Sequence, residues 1–313
     1  MINLRRLAVI MKLKLCDYAF EMQKKELCRY IVKLGYQYFK TTRISYNAIS
    51  VDFDGVFNNP FTKTIDELLF RYITYFSRQK IPIIFLSGRG TSLLEEVLEN
   101  VRKYTSPSTY LIVTDNLYFV TYNGATIYDS NYSVIYTEKD VTNKLKKYFY
   151  EIVRDLLIGY EKHIERVKIK NNNIQIFVSD DTIRRIILTK IKGHTIHSRI
   201  SLNIRETGKG IDVYPINMGK HIALKHLMNY LNKNSKEIRN VLRIADQGHE
   251  HGTDFEFLNT IGGFTTDKVS HCPYGCFPVV SSNGLVLKFN EATKYIFKHI
   301  KVTEKGTFQL LIR

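Results

Sequence analysis

The chain has 313 residues, 44% hydrophobic and 24% charged, a composition that fits a globular protein and excludes a disordered or fibrous one. No apolar run approaches the ~20 residues a spanning helix needs, and the apolar centre of the N-terminus is broken by Lys12 and Lys14 with no small-residue cleavage site after it, so a cytoplasmic chain with no membrane partner is expected. The formal charge is +16, and residues 1–45 hold ten basic against three acidic side chains.

That basic segment reads as a helix, since Leu27, Tyr30, Ile31, Leu34 and Tyr38 recur at helical spacing. Its simplest use is to pack the stripe on the main domain and leave the charges in solvent. Nucleic acid is disfavoured as a partner without being excluded, because no recognisable binding motif accompanies the charge. "AISVDFD" then reads as a buried strand, "TIDELLFRYITYFSRQ" as an amphipathic helix and "IPIIFLS" as a second buried strand. "TSLLEEVLENVRKY" reads as a helix capped by Thr91 or Ser92, and "YLIVTDN" and "YFVTYNGATIYD" as short strands. A long helical segment is expected over about 141–167, a strand at "NNNIQIFVSD", a helix stopping near Gly193, and a strand pair around 208–210. "KHIALKHLMNYL" returns to helix, "VLRIAD" to strand, and the C-terminal region is expected to end in the helix "EATKYIFKHI". Apolar strands alternating with helices predict an α/β fold, with a parallel sheet covered on both faces. An α+β module of residues 127–212 interrupts it, leaving the core as 46–126 plus 213–313, with residues 1–45 as a helical extension.

"DFDGV" is the sharpest local feature. Alternation puts Asp52 and Asp54 on the same side of an extended chain, where like charges repel and help no sheet form. In parallel sheets chemistry gathers at the carboxyl ends of strands, and Asp52 and Ser87 both stand where a strand ends. Singly, each motif has an ordinary explanation: Asp-Gly and Ser-Gly-Arg are turn signals, and a lysine opening a helix is usually solvated. The cysteines are Cys16, Cys28, Cys272 and Cys276; the His-Cys-x3-Cys spacing at 271–276 suits incidental thiols better than zinc, which takes four ligands and more usually a closer pair.

Four motifs occur in order: "DFDGV" at 52–56, "FLSGR" at 85–89, Gly219-Lys220 before a helix, and "IADQGHEHGTD" at 244–254. Together they resemble the haloacid dehalogenase superfamily of phosphotransferases. "YNGA" at 122–125 and the inserted module resemble its Cof-like and sucrose-phosphatase-like branch, which implies a Rossmann-like core with a C2B-type cap. The resemblance covers roughly residues 46–313. It implies a Mg2+-dependent phosphatase acting on a small phosphorylated metabolite, a sugar phosphate above all. Asp52 would be the nucleophile and Asp54 the acid and base. Ser87 and Lys220 would hold the phosphoryl group. Asp52, the backbone carbonyl of Asp54, Asp246 and Asp254 would surround the metal. Gly55, Gly88, Arg89, Asn123 and Gly124 would approach the substrate, with His197, Arg199 and Arg205 on the cap. Two other readings share these residues: a mutase moving phosphate to a second sugar hydroxyl, and a non-catalytic protein using its basic helix to bind an acidic partner.

The fourth motif departs from the family's commoner Gly-Asp-x-x-Asn-Asp pattern. Asp246 and Asp254 are eight residues apart here, with His249 and His251 between them, so the Asp246 assignment is the firmer of the two.

Overall fold

The computed structural model describes residues 24–62, 65–138, 143–169, 173–197, 201–208, 210–234, 236–270 and 276–312. In chain order the first elements are α1 (Lys24–Thr41), β1 (Ser45–Tyr46), β2 (Ala48–Asp52), α2 (Glu67–Arg78), β3 (Ile83–Leu86), α3 (Ser92–Lys103), α4 (Pro107–Thr114), β4 (Leu117–Thr121), β5 (Thr126–Asp129) and β6 (Val134–Thr137). An interposed group follows: α5 (Asn143–Glu151), β7 (Arg166–Ile169), β8 (Ile174–Phe177), α6 (Asp181–His197), β9 (Leu202–Glu206) and β10 (Gly210–Pro215). The chain closes with α7 (Lys220–Lys233), β11 (Val241–Gln247), α8 (Phe255–Leu258), β12 (Gly263–Lys268), β13 (Phe277–Val280), β14 (Val286–Leu287), α9 (Phe289–Lys298), β15 (Ile300–Glu304) and β16 (Thr307–Leu310).

β2 is buried at every position because it lies inside a nine-stranded sheet of order β14-β13-β12-β11-β2-β3-β4-β5-β6. The run β13-β12-β11-β2-β3-β4 is parallel, and antiparallel strands finish both edges. Apolar stripes cover both faces. Leu69, Phe70, Ile73 and Phe76 of α2 join Leu93 and Val97 of α3 and Ile296 and Phe297 of α9 in one core cluster; Leu224, Leu227 and Leu231 of α7 join Phe257 of α8 in the other. The fold is thus α/β, with a Rossmann-like core. The chain leaves β2 toward β3 and β4 on one side and returns through β11, β12 and β13 on the other. β2 and β11 therefore flank a topological switch point, the crevice where such sheets bind ligands.

A second sheet, β7-β8-β10-β9, is antiparallel throughout. One of its faces (Ile174, Ile176, Ile211 and Val213) packs with Phe149, Ile187 and Ile191 of α5 and α6 into a separate core. The hairpin β5–β6 belongs to the main sheet, so core pairing runs to Thr137 rather than ending at residue 126. α1 docks by its C-terminal end: Tyr38 is buried edge-on to Phe277 at 5.4 Å, and Tyr46 Oη donates to Thr41 O at 2.6 Å. Among the described residues no helix is long and apolar enough to cross a membrane.

Four expectations need correction. Tyr110–Asn116 is not a strand: Ser106 caps a helix by accepting from Thr109 N–H at 3.3 Å with Pro107 in its first turn, and those start signals override the β-prone Leu-Ile-Val run. The helix expected over 141–167 ends near Leu156, before Gly159 takes φ +87° and the chain turns into β7. α6 runs through Gly193 to His197, because Gly193 needs no left-handed conformation there. Finally, a hairpin, β15–β16, follows α9 and pairs with β1.

Candidate active site

Asp52 ends β2, and Asp246 stands near the end of β11, the next strand. Asp254 precedes α8. One carboxylate oxygen from each of the three comes within 4.8 Å of the others, and Asp52 and Asp254 are buried. Lys220, the first residue of α7, enters this cluster with only 5% exposure. Its ammonium donates to Asp52 Oδ2 at 2.7 Å and to Asp254 Oδ1 at 2.6 Å. The other oxygen of Asp254 accepts from Gln247 N–H at 3.1 Å, and Asp246 Oδ2 accepts from Gln247 Nε2 at 2.6 Å.

The charge balance decides what this cluster can do. Burial pushes the Asp52 carboxyl well above its ordinary range; Lys220 opposes that, while Asp254 and Asp246 add to it. Burial and the charge of Asp254 push Asp246 up to about 7. Burial would weaken the ammonium of Lys220, yet Asp254 and Asp52 win and hold its pKa above the usual value. Three acids sharing one lysine leave an excess of negative charge in a poorly solvated place. Hard carboxylate oxygens in excess are the donor set that suits Mg2+. Gly55 fits the same picture. At φ +75° it is a position for glycine, and a Cβ there would lie 2.7 Å from Asp246 Oδ2, so the loop can close on the acids only without a side chain.

The carboxylate of Asp54 turns away from this cluster. It is half exposed, accepts from Ser87 Oγ–H at 3.2 Å and lies 3.8 Å from Arg89. Its side chain is therefore not among the clustered ligands, and stays available for proton transfer. Ser87, at the end of β3, accepts from Arg89 N–H at 3.0 Å; its hydroxyl is tied to both. Arg89 pairs with Glu96 at 2.5 Å and lies over the Phe53 ring at 5.5 Å.

These groups share one cleft of about 750 Å³. Asp52, Asp54, Gly55, Ser87, Gly88, Arg89, Asn123, Lys220 and Asp246 line it, which brings together most of the positions singled out in the sequence. A larger depression of about 1130 Å³, lined by Asn47, Pro82, Asn116 and Ile238, lies at the opposite, N-terminal ends of the strands; among the described residues it holds no acid cluster, and sheets of this kind do not place their chemistry there.

Several sequence expectations resolve differently. Gly124 does not line the cleft. A Cβ on it would come 2.5 Å from Gly219 O, so it lets the start of α7 approach and Lys220 reach the acids. Asn123 is buried at φ +55° and donates from Nδ2 to Asp212 of β10. Arg205 does not line the cleft either. It donates to Glu250 O at 3.2 Å and pairs with Glu256. His197 ends α6, and no side-chain position is described for it; Arg199 lies outside the described residues, as do His271 and Cys272. Cys276 is buried beside Gly248 O at 3.6 Å.

The lengthened fourth-motif loop has a clear use. Its residues pair with the end of β9: Glu206 N–H donates to His251 O at 2.6 Å, and Thr253 N–H donates to Glu206 O at 3.1 Å. The Glu206 side chain, buried, meets Arg184 at 3.1 Å, His249 at 3.1 Å and Lys268 at 3.4 Å. Burial pushes Glu206 up, but His249, Lys268 and Arg184 together bring its carboxyl far below the usual range. The extra loop residues thus clasp the second sheet to the core, and His249 and His251 serve that clasp rather than the cleft.

From the second sheet the cleft is lined by Arg166, Lys168, Gln175, Phe177 and Asp212, none of them singled out in the sequence. The signal was present as period-two alternation in "RVKI" and "IQIF", whose polar and aromatic members share one face.

Residues 49–164 match the model of the haloacid dehalogenase-like hydrolases. Among solved structures, an IMP-bound variant of the IMP-nucleotidase of Plasmodium falciparum aligns with TM-score 0.60 at 14% identity, over 93% of this chain and 77% of that one. The ATP-bound form of that enzyme aligns with TM-score 0.59 at 15% identity, over 98% and 73%. A phosphatase of the haloalkanoate superfamily from Bacteroides thetaiotaomicron aligns with TM-score 0.52 at 14% identity, over 74% and 88%. At these identities the likeness is one of fold. No curated protein matches the chain.

Proposed function

We propose that this chain, a haloacid dehalogenase-like hydrolase, is a Mg2+-dependent phosphatase of a small phosphomonoester, and that the phosphoryl group passes through Asp52. One observation carries the reading: a buried strand-end aspartate held by Lys220, within an acid cluster that has more negative charge than its own residues neutralise. Asp52 and Asp246, which line the cleft, would hold the metal together with the backbone carbonyl of Asp54 that the family resemblance implies. Asp254, whose oxygens are taken by Lys220 and Gln247, orients them from behind. When bound, the metal neutralises charge on the acids and on the phosphate.

Asp52 attacks phosphorus, forming the carboxyl–phosphoryl bond as the bond to the leaving oxygen breaks. Asp54 gives its proton to that oxygen. Asp54 then takes a proton from water, the water oxygen attacks phosphorus, and Asp52 and inorganic phosphate are released. Ser87 and Lys220 hold the phosphoryl oxygens, which need fixed donors as the charge redistributes. The four-stranded unit with its helices, running from α5 to β10, acts as a cap of the C2B type. It excludes water and supplies contacts to the leaving group. The leaving group is taken to be a sugar, free or within a nucleoside monophosphate; the similar fold of an enzyme named for IMP supports including the latter. We take the setting to be cytoplasmic, a reading that the unpaired, buried Cys276 fits.

The test is phosphate release over a panel of sugar phosphates and nucleoside monophosphates, with and without Mg2+. Wild-type protein should release phosphate only with the metal. Asp52→Asn should lose at least about a thousandfold in kcat while keeping its melting temperature. Full activity in that variant sinks the reading, and transfer of phosphate to a second sugar hydroxyl without release would make the protein a mutase.

A further inference from the structure

The cap wall of the cleft carries two cations that the chemistry above does not use. Arg166 and Lys168 project from β7 with Phe177 and Gln175 of β8 directly opposite them, and Gln175 is in turn opposite Asp212 of β10. These residues share the face that looks across the cleft to Asp52 and Ser87, while the alternate residues fill the apolar core of the cap. The Arg166 guanidinium stands 4.3 Å from the centre of the Phe177 ring and the Lys168 ammonium 6.0 Å from it.

Their surroundings set them apart. Around the same cleft Lys220 is paired with Asp52 and Asp254, Arg89 with Glu96, Asp54 with Ser87, Asp246 with Gln247, and Asp212 with Asn123 and Gln175. Arg166 and Lys168 meet no carboxylate among the described residues; an aromatic face steadies them instead. A ring attracts a cation and holds it in place while leaving its N–H groups free. Two steadied cations with free donors on one wall of a substrate cleft are arranged to accept an anion.

We infer that Arg166 and Lys168, positioned by Phe177, form a distal subsite for a second anionic group of the substrate. The substrate class is then a phosphomonoester with a phosphate or carboxylate at its far end: one phosphate sits against Asp52, and the second anion reaches across the cleft. The polar acceptors between, Asp212 and Gln175, suit the hydroxyls of a sugar linking the two. This inference rests on the phosphomonoester reading of the cleft.

The test compares kcat/KM for a hexose bisphosphate with those for its two constituent monophosphates, and for a phosphosugar acid with its neutral counterpart. The first pair reads a distal phosphate and the second a distal carboxylate. Calorimetric binding of the same compounds to Asp52→Asn gives a readout independent of turnover. The doubly anionic member of at least one pair should be preferred by at least about tenfold. In the double variant Arg166→Gln, Lys168→Gln the ratio should fall to within about threefold of unity. Phe177→Leu, which keeps both cations but frees them, should weaken the preference in part. No preference in either pair, or a preference that survives in the double variant, overturns the inference. So does a stronger preference for inosine monophosphate that the double variant leaves intact, because the ring would then be a base platform. If nothing is turned over but Asp52→Asn binds with the expected preference, the subsite stands and the hydrolytic reading falls.

Discussion

Two buried ionic clusters lie along one loop, with opposite charge balance. Its two ends bring Asp246 and Asp254 to Asp52, and the three acids have the single ammonium of Lys220 among them. Between those ends His249 joins Arg184 and Lys268 around the single buried carboxylate of Glu206, with Arg184 also reaching the exposed Asp181. Burial penalises charge in both, but the outcomes differ: the acids of the first are pushed up, and that of the second is pulled down. A cluster that over-satisfies its one acid is complete and holds two parts of the fold together. A cluster that under-satisfies three acids calls for positive charge from outside. Charge balance, more than burial or the mere presence of an ion pair, separates the chemical site from the structural joint.

The largest expected effect falls on the first cluster. Lys220→Met should lower kcat by about a thousandfold, because the phosphoryl group and Asp52 lose a fixed positive charge in a low-dielectric site. Steady-state phosphate release reads this, and a loss under tenfold would place the lysine in the structural class. Next comes the joint. Glu206→Gln leaves the buried Arg184 with only the exposed carboxylate of Asp181 and should cost roughly 3 kcal/mol of stability, read by denaturant unfolding. Its kcat on a small activated phosphoester should fall far less than that of Lys220→Met. If the two variants lose activity equally, the distinction between the clusters collapses. The smallest effect is on cation affinity. Burial and Asp254 push the Asp246 carboxyl up to about 7, so below that pH its proton competes with a divalent ion. Affinity should therefore weaken by up to about tenfold per unit as the pH falls below about 7; calorimetric titration with Mg2+ checks the slope, and a flat profile would mean that Asp246 is not a ligand.

Much of the first cluster was legible in the sequence, and almost none of the second. Asp52, Ser87, Lys220 and Asp246 each follow or precede an element that its own hydrophobic pattern announces, so strand ends and a helix start fix their places. The fold class followed from the same alternation of apolar runs and amphipathic helices. The second cluster joins Arg184, Glu206, His249 and Lys268, side chains far apart in the chain, whose meeting depends on how the cap sits on the core. The lengthened fourth motif hinted at it, because a loop with extra residues needs somewhere to go; only the pairing of Glu206 with Gly252 shows where. Arg205, expected in the cleft, faces that joint for the same reason. The misassigned strand at 110–116 teaches the local counterpart: a serine cap and a proline at a helix start outweigh three β-prone side chains.

The central claim is that Asp52 carries the phosphoryl group, and trapping that species tests it most directly. The Asp54→Asn variant, given p-nitrophenyl phosphate with a radiolabelled phosphoryl group and Mg2+, should form the intermediate without needing a proton for its good leaving group, and should then hydrolyse it slowly. Acid quenching should leave about one equivalent of label on the protein. The label should be labile to hydroxylamine, map to the peptide containing Asp52, and be absent when Asp52→Asn is added to the variant. Nitrophenol release matched by free phosphate, with no label on the chain at any time, would contradict the account.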